Sequence, residues 1–234
     1  MILAKCFQEL RAHGNIEFEV VFLSMDPGYE EEHAKRLQEN AKLLNIPITV
    51  FKTHVLEHVD KIEKHPCFIC AKMRRGHLYR KAKELGCNKI ALGHHFDDVV
   101  ETILVGMLYG AQYQTMMPKV LSTYHEGMEV IRPLYYVREQ DIISWGKKNE
   151  LEFITCACKV TRKDDNNDSK RAKVKALIKE LKQDYKNIDV NIFRSAQGVS
   201  LDTVISYKKE GKIYHFMDDY YTRKRNIETH YDEE

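Results

Sequence analysis

The chain has 234 residues, of which 43% are hydrophobic and 31% charged, and its formal net charge is +2 at pH 7. That length and apolar content suffice to bury a core, which excludes a wholly disordered chain. The near-neutral charge means that any nucleic-acid binding must rest on local clusters of Lys and Arg. No apolar run reaches the roughly 20 residues of a membrane span, so we expect a cytoplasmic protein without membrane contact.

The first half of the chain alternates predicted helices and strands. Hydrophobic spacing and turn residues predict a helix over 1–12, a strand over 17–23, a helix over 30–44, a strand over 48–51, a helix from 71 that ends at Gly86, and a strand over 89–92. This alternation indicates a parallel sheet with right-handed crossover connections.

The second half is predicted to be more helical. We expect a helix that starts near Asp97, a strand over 130–134, and helices over 139–148 and 169–185. Residues 159–186 contain ten Lys and Arg against five Asp and Glu. We therefore predict an α/β domain over residues 1–158 and a basic helical C-terminal extension with a tail over 159–234.

Four cysteines form two close pairs, Cys67 with Cys70 and Cys156 with Cys158. In a reducing compartment such pairs indicate metal ligands before disulfides. Four thiolates would close a structural zinc site, whereas three would leave one iron of a 4Fe-4S cluster open to an exogenous sulfur. Thiols without any metal are the third alternative.

A second polar cluster runs from Gly93 through His94 to Asp97 and Asp98. It follows a short apolar strand, and ligands of open parallel sheets bind beyond the carboxyl ends of the strands. Carboxylates there can hold Mg²⁺ on a nucleotide, and glycine lets a phosphate approach the backbone. Asp26, which follows an earlier strand, is expected on the same rim. The alternative is a helix N-cap with incidental neighbours.

The helix between the two clusters is rich in basic residues, including Lys72, Arg74 and Arg75. A charged helix is often only a solvated surface. Its position beside both clusters favours contact with the phosphates of a polyanion.

Residues 67–156 carry a nearly continuous set of motifs: C-x-x-C-x-x-x-R-R-G-x-L-Y, K-I-A-L-G-H-H-x-D-D and I-R-P-L-x-Y-x-R-E. These motifs resemble the tRNA 2-thiocytidine synthetases, a branch of the PP-loop ATP pyrophosphatases. The resemblance implies an α/β PP-loop fold with a parallel sheet. It also implies ATP, Mg²⁺ and a 4Fe-4S cluster as cofactors.

The resemblance assigns roles to individual residues. Cys67, Cys70 and Cys156 correspond to the cluster ligands, with Cys158 as the alternative to Cys156. Gly93, His94, Asp97 and Asp98 fall on the second ATP motif, and we expect Asp98 and Arg74 to lie nearest the triphosphate.

The reaction implied is adenylation of the C2 oxygen of an anticodon-loop cytidine, followed by displacement of AMP by sulfur. The partners implied are tRNA and a sulfur donor such as a cysteine desulfurase; a homodimer is left open. Two alternatives remain. One is a PP-loop enzyme that modifies a different tRNA base, and the other is a zinc-stabilised RNA-binding module without catalysis.

One motif of the resemblance is missing. PP-loop enzymes carry S-G-G-x-D-S between their first strand and first helix, where backbone N–H groups bind the pyrophosphate. We therefore expect the first strand to be absent from this sequence and the natural start to lie upstream of Met1. The sheet should then form two halves that each have an unpaired edge, and the chain as written should bind ATP weakly.

Overall fold

The structure is a computed structural model that describes residues 1–29, 31–59, 62, 66–153 and 169–221, with the backbone alone at residues 66 and 67. The helices are α1 (Ile2–His13), α2 (Glu31–Leu43), α3 (Val55–Val59), α4 (Pro66–Glu84), α5 (Phe96–Gly110), α6 (Glu139–Lys148), α7 (Lys170–Asp184) and α8 (Ile188–Ser195), with a short 3-10 helix at Leu201–Thr203. The strands are β1 (Phe22–Asp26), β2 (Ile48–Lys52), β3 (Lys89–Ala91), β4 (Lys119–Leu121), β5 (Glu129–Ile131), β6 (Ser206–Lys209) and β7 (Lys212–His215).

The strands of the described residues form three separate sheets. Strands β1 and β2 are parallel, β3 and β5 are parallel with β4 antiparallel on β5, and β6 pairs with β7 as an antiparallel hairpin. The α/β class with parallel strand pairs is therefore confirmed. The split between the β1–β2 pair and the β3–β5 pair agrees with the expectation of two half-sheets with unpaired edges.

The predicted strand over 17–23 was wrong in its bounds. Residues 17–21 lie outside the ladder, and β1 instead runs to Asp26 because Ser24, Met25 and Asp26 pair with residues 50–52 of β2. The chain bends only after Asp26. The three-residue strand β4 and the β6–β7 hairpin were missed.

Helix α4 packs over both parallel pairs. Its Tyr79 and Ala82 share a core cluster with Leu23 of β1 and with Ile90 and Val130 of the other sheet. Apolar side chains at positions 79 and 82 lie on one helix face, so a single helix covers the space between the two pairs. Arg74, Arg80 and Lys81 of α4 lie on its other faces, whereas Arg75 shares the face of Tyr79.

The C-terminal helices pack on α5 and build with it the largest core cluster of the described residues. Phe96, Val100 and Ile103 of α5 are buried with Phe193 of α8, and the Phe96 and Phe193 rings stack at 4.8 Å between centroids. The predicted helical C-terminal part is thus confirmed as helical. The predicted domain boundary at residue 158 stays a prediction, since residues 154–168 lie outside the described residues.

No helix of the described residues is both long enough and apolar enough to cross a membrane.

Candidate functional site

The parallel pairing of β3 with β5 brings two polar residues to the same edge. Ala91 is aligned with Ile131, and the Leu92 backbone N–H donates to the Ile131 carbonyl at 2.9 Å. His94 and Arg132 therefore leave the sheet at neighbouring carboxyl ends. This edge is where ligands of parallel α/β sheets bind.

Three guanidinium groups act on the half-buried imidazole of His94. Burial lowers the pKa of His94, and the positive charges of Arg132, Arg171 and Arg75 lower it further, while Asp98 acts in the opposite direction. Arg132 directly follows β5, Arg171 lies on α7 and Arg75 lies on α4. We call His94, Arg75, Arg132 and Arg171 the His94 cluster.

Two polar atoms of the His94 cluster are buried without a hydrogen-bond partner among the described residues: His94 Nδ1 and Arg132 Nε. A buried polar atom without a partner costs free energy, and such atoms mark places where a ligand or water completes the hydrogen bonding. Since the charges of three guanidinium groups act on His94, the ligand favoured by this site is an anion.

Asp97 links the starts of two helices. Its Oδ2 accepts a hydrogen bond of 2.7 Å from the Glu139 backbone N–H at the start of α6. Beside it, the Phe96 backbone N–H donates to the Val137 carbonyl at 2.9 Å. One oxygen of this predicted cofactor-binding carboxylate thus satisfies a backbone donor of α6, which is a structural task.

Asp98 closes the N-terminus of α5. Its Oδ2 accepts from the His95 backbone N–H at 3.0 Å, which completes a capping box with the His95 side chain. Its Oδ1 lies 3.7 Å from Nη1 of Arg171. The carboxylate therefore belongs both to the helix cap and to the edge of the His94 cluster.

Glu101, one turn further along α5, is the buried partner of Arg171. The Arg171 Nε lies 2.9 Å from Glu101 Oε2, and the Glu101 side chain is only 7% exposed. Burial raises the pKa of Glu101, and the charge of Arg171 opposes that rise. Arg171 thus fastens α7 to α5 next to Asp98.

Sequence reasoning missed three members of the His94 cluster. Arg132 and Arg171 were not site candidates, and Arg74 was chosen in place of Arg75. One signal for Arg75 was present, because it lies four residues before the sheet-facing Tyr79 and so shares its helix face. Arg171 carried no such local signal.

The other predicted residues lie as follows. Asp26 Oδ1 accepts from the backbone N–H groups of Gly28 at 3.0 Å and Tyr29 at 2.9 Å, so it fixes the turn after β1. A Cβ added at Gly93 would meet nothing within 4 Å, which leaves open space beside that backbone. Arg74 is half-buried on α4 and makes no hydrogen bond or ion pair with the described residues.

Of the four cysteines of the two predicted pairs, Cys70 has a side chain among the described residues. Cys70 is half-buried near the start of α4. The Cys67 side chain, Cys156 and Cys158 lie outside the described residues. Within the described part of the chain no group of three His, Cys, Asp or Glu side chains is arranged to hold a metal ion. The predicted ligand set stays a prediction.

Comparison with known proteins identifies the family of this chain. The PP-loop domain matches residues 1–181. A tRNA-cytidine(32) 2-sulfurtransferase of Neisseria meningitidis serogroup C / serotype 2a is 38% identical over 160 residues, which are 66% of this chain and 49% of that protein. The chain thus spans about half the length of the Neisseria relatives that it matches.

Two further proteins extend the match. A tRNA-cytidine(32) 2-sulfurtransferase of Pelobacter propionicus is 32% identical over 208 residues, covering 87% of this chain and 76% of that protein. The solved structure of the U34-tRNA thiolase NcsA from Methanococcus maripaludis with its 4Fe-4S cluster has a TM-score of 0.63 at 16% identity, over 87% of this chain and 70% of that chain. It supports the fold. The chain belongs to the PP-loop family, in the group of the tRNA-cytidine(32) 2-sulfurtransferases.

Proposed function

We propose that this chain takes part in ATP-dependent tRNA thiolation, in which sulfur replaces the C2 oxygen of a cytidine in the anticodon loop. The observation that carries the proposal is the His94 cluster, a cationic site with buried unpartnered polar atoms at the carboxyl ends of β3 and β5. The cytidine(32) position is taken from the names of the relatives.

The His94 cluster fits the triphosphate of ATP. The guanidinium groups of Arg75, Arg132 and Arg171 would offset charge that develops on the phosphates, and His94 would donate from its buried Nδ1. In the first step the C2 oxygen of the base attacks the α-phosphorus and pyrophosphate leaves. In the second step sulfur at the hydrosulfide level bonds to C2 and gives up its proton, the C2–O bond breaks and AMP leaves.

The residues beside the cluster fit a nucleotide-bound Mg²⁺. Such an ion usually takes one or two carboxylates, with phosphates and water completing its shell. Asp98 is the better placed of the two predicted carboxylates, because its Oδ1 faces Arg171 at the edge of the His94 cluster. Asp97 would assist, although its Oδ2 is committed to the start of α6.

The cysteine pair lies on the same helix as Arg75 of the His94 cluster. Cys70 precedes Arg75 by five residues on α4, which is about 7.5 Å along the axis at about 1.5 Å per residue. We propose Cys67, Cys70 and Cys156 as the ligands of a 4Fe-4S cluster. When bound, that cluster would supply the site for the transferred sulfur, delivered by a donor such as a cysteine desulfurase and brought to the sulfide level by two electrons from a reductant.

The test combines metal analysis with nucleoside analysis. The protein is purified without oxygen and its iron, sulfide and zinc are measured. Total tRNA from cells that lack the gene, with and without a restored copy, is digested and analysed for 2-thiocytidine by mass spectrometry. We expect the purified protein to contain iron and sulfide. Cells that lack the gene should lose 2-thiocytidine from their tRNA. A wild-type copy of the gene should restore 2-thiocytidine, and a copy that carries Arg132→Ala should not. Zinc without iron, or unchanged 2-thiocytidine, would overturn the proposal.

A further inference from the structure

A cleft lies at the carboxyl end of β2, between α3 and α4, and shares no residue with the His94 cluster. Its volume is about 490 Å³. Its walls are basic and carry Lys52, His54, His58, His77, Arg80 and Lys81. We call it the basic cleft.

The basic cleft holds positive charge that the described protein does not neutralise. Two of its residues have a carboxylate partner nearby in the sequence. His54 Nδ1 lies 3.0 Å from Glu57 Oε1, and Lys81 Nζ lies 3.0 Å from Glu84 Oε2. Lys52 and Arg80 have no carboxylate partner within the described residues. A concave surface with such charge attracts anions more strongly than a flat solvated helix does.

The shape of the basic cleft favours a chain-like anion. Phe51, Val55 and Met73 add apolar surface to its lining, and the cleft is open to solvent. Its histidines do not form a metal group, since no such group exists among the described side chains. Lysine, arginine and histidine beside apolar side chains suit the phosphates and sugars of a nucleic-acid backbone.

The position of the basic cleft on α4 connects it to the cysteine pair. Cys70, Met73, His77, Arg80 and Lys81 follow one another at spacings of three, four, three and one residues, so they lie along one stripe of the helix. Arg75 lies outside this stripe, with the His94 cluster. A backbone bound in the cleft would therefore run along the helix toward Cys70.

We infer that the basic cleft binds backbone phosphates of the tRNA substrate and guides the RNA along α4 toward Cys70. This inference rests on the proposed function. The inference identifies the surface that binds the RNA backbone. It assigns Lys52 and Arg80 to phosphate contacts, which contribute to affinity and do not select the base.

The test measures binding of a fluorescently labelled tRNA transcript to the full chain as salt is raised from about 50 to 200 mM. The variant Lys52→Glu/Arg80→Glu reverses both charges that lack a carboxylate partner. The control Lys35→Glu/Lys42→Glu makes the same charge change on exposed positions of α2. We expect at least a tenfold loss of affinity for the cleft variant. Its slope of log affinity against log salt should be shallower by about 0.7 to 0.9 for each lost contact.

Three outcomes separate the inference from the proposed function. If wild-type protein binds tRNA and the cleft variant binds no more weakly than the control, the inference is wrong and the proposed function stands. If wild-type protein binds no tRNA at low salt, both fail. If the charge-reversed variant is misfolded by circular dichroism, Lys52→Gln/Arg80→Gln is measured instead, and an unchanged salt slope in that variant overturns the inference.

Discussion

Arg171 places its Nε 2.9 Å from Oε2 of Glu101, so α7 is tied to α5 by an ion pair whose acidic partner is almost wholly buried. The same guanidinium lies 3.7 Å from Asp98. Removing it would leave the Glu101 carboxylate buried without its cation, which is costly in a poorly hydrated interior.

We expect Arg171→Met to lower the free energy of unfolding by about 1–3 kcal/mol. The matched control is Lys175→Met, on the same helix, whose partner Glu139 is 34% exposed. Its cost should be below about 1 kcal/mol, because solvent screens the pair. Urea denaturation measures both, and equal costs would contradict the assignment of Glu101 as the buried partner.

Asp97→Ala should destabilise the protein in the absence of any nucleotide. The carboxylate accepts from the Glu139 backbone N–H at 2.7 Å, and loss of such a cap costs about 1 kcal/mol. Asp141→Ala, an exposed change in the first turn of α6, is the control and should cost less. A purely cofactor-binding Asp97 would instead leave the nucleotide-free stability unchanged.

The stability contributed by Asp189 should depend on pH. Burial alone would raise the pKa of Asp189, but hydrogen bonds from Lys182 and Arg138 outweigh it and hold the pKa below its ordinary value. A carboxyl with a lowered folded pKa stabilises the protein above its unfolded pKa and loses that contribution as pH falls through the folded pKa.

We therefore expect Asp189→Asn to cost about 1–3 kcal/mol at neutral pH. The difference from wild type should shrink as pH falls below about 4. Urea midpoints measured across that range test this, and a difference that stays constant down to the acid limit would count against it.

His94 should report directly on anion binding. Burial and the neighbouring arginines lower the pKa of His94, so the imidazole is neutral at pH 7 in the free protein. A bound triphosphate would add negative charge and raise that pKa. NMR titration of ¹⁵N-histidine-labelled protein with and without ATP measures the change, with the exposed His13 as internal reference. A pKa of His94 that is the same with and without ATP would argue against a phosphate site at His94.

Local pattern was enough to predict where the candidate site begins. A short apolar strand followed by Gly93 and His94, and acidic residues in the first turn of α5, are features of ten consecutive residues. Arg132 could not be assigned in the same way, because its place beside His94 depends on the pairing of β3 with β5. Arg171 depends on the packing of a helix that follows some 70 residues later.

The role of Asp97 shows a different limit of prediction from sequence. Sequence alone favoured a cofactor-binding carboxylate, whereas in the structure one oxygen serves the start of α6. An acidic residue in the first turn of a helix is compatible with both roles, and the choice depends on what packs against it. The bounds of β1 differ for a similar reason, since its pairing with β2 extends order to Asp26.

The arrangement of α4 over two parallel pairs has a consequence for cooperativity. Strands that share a ladder protect one another's amides, but β1–β2 and β3–β5 share no ladder in the described residues. They meet through the core cluster that contains Tyr79 and Ala82 of α4, against which Leu23 and Ile90 pack. Each pair can therefore exchange its amide protons with its own opening free energy. A ligand that orders one strand pair would also change the opening free energy of the other pair, because both pack against α4.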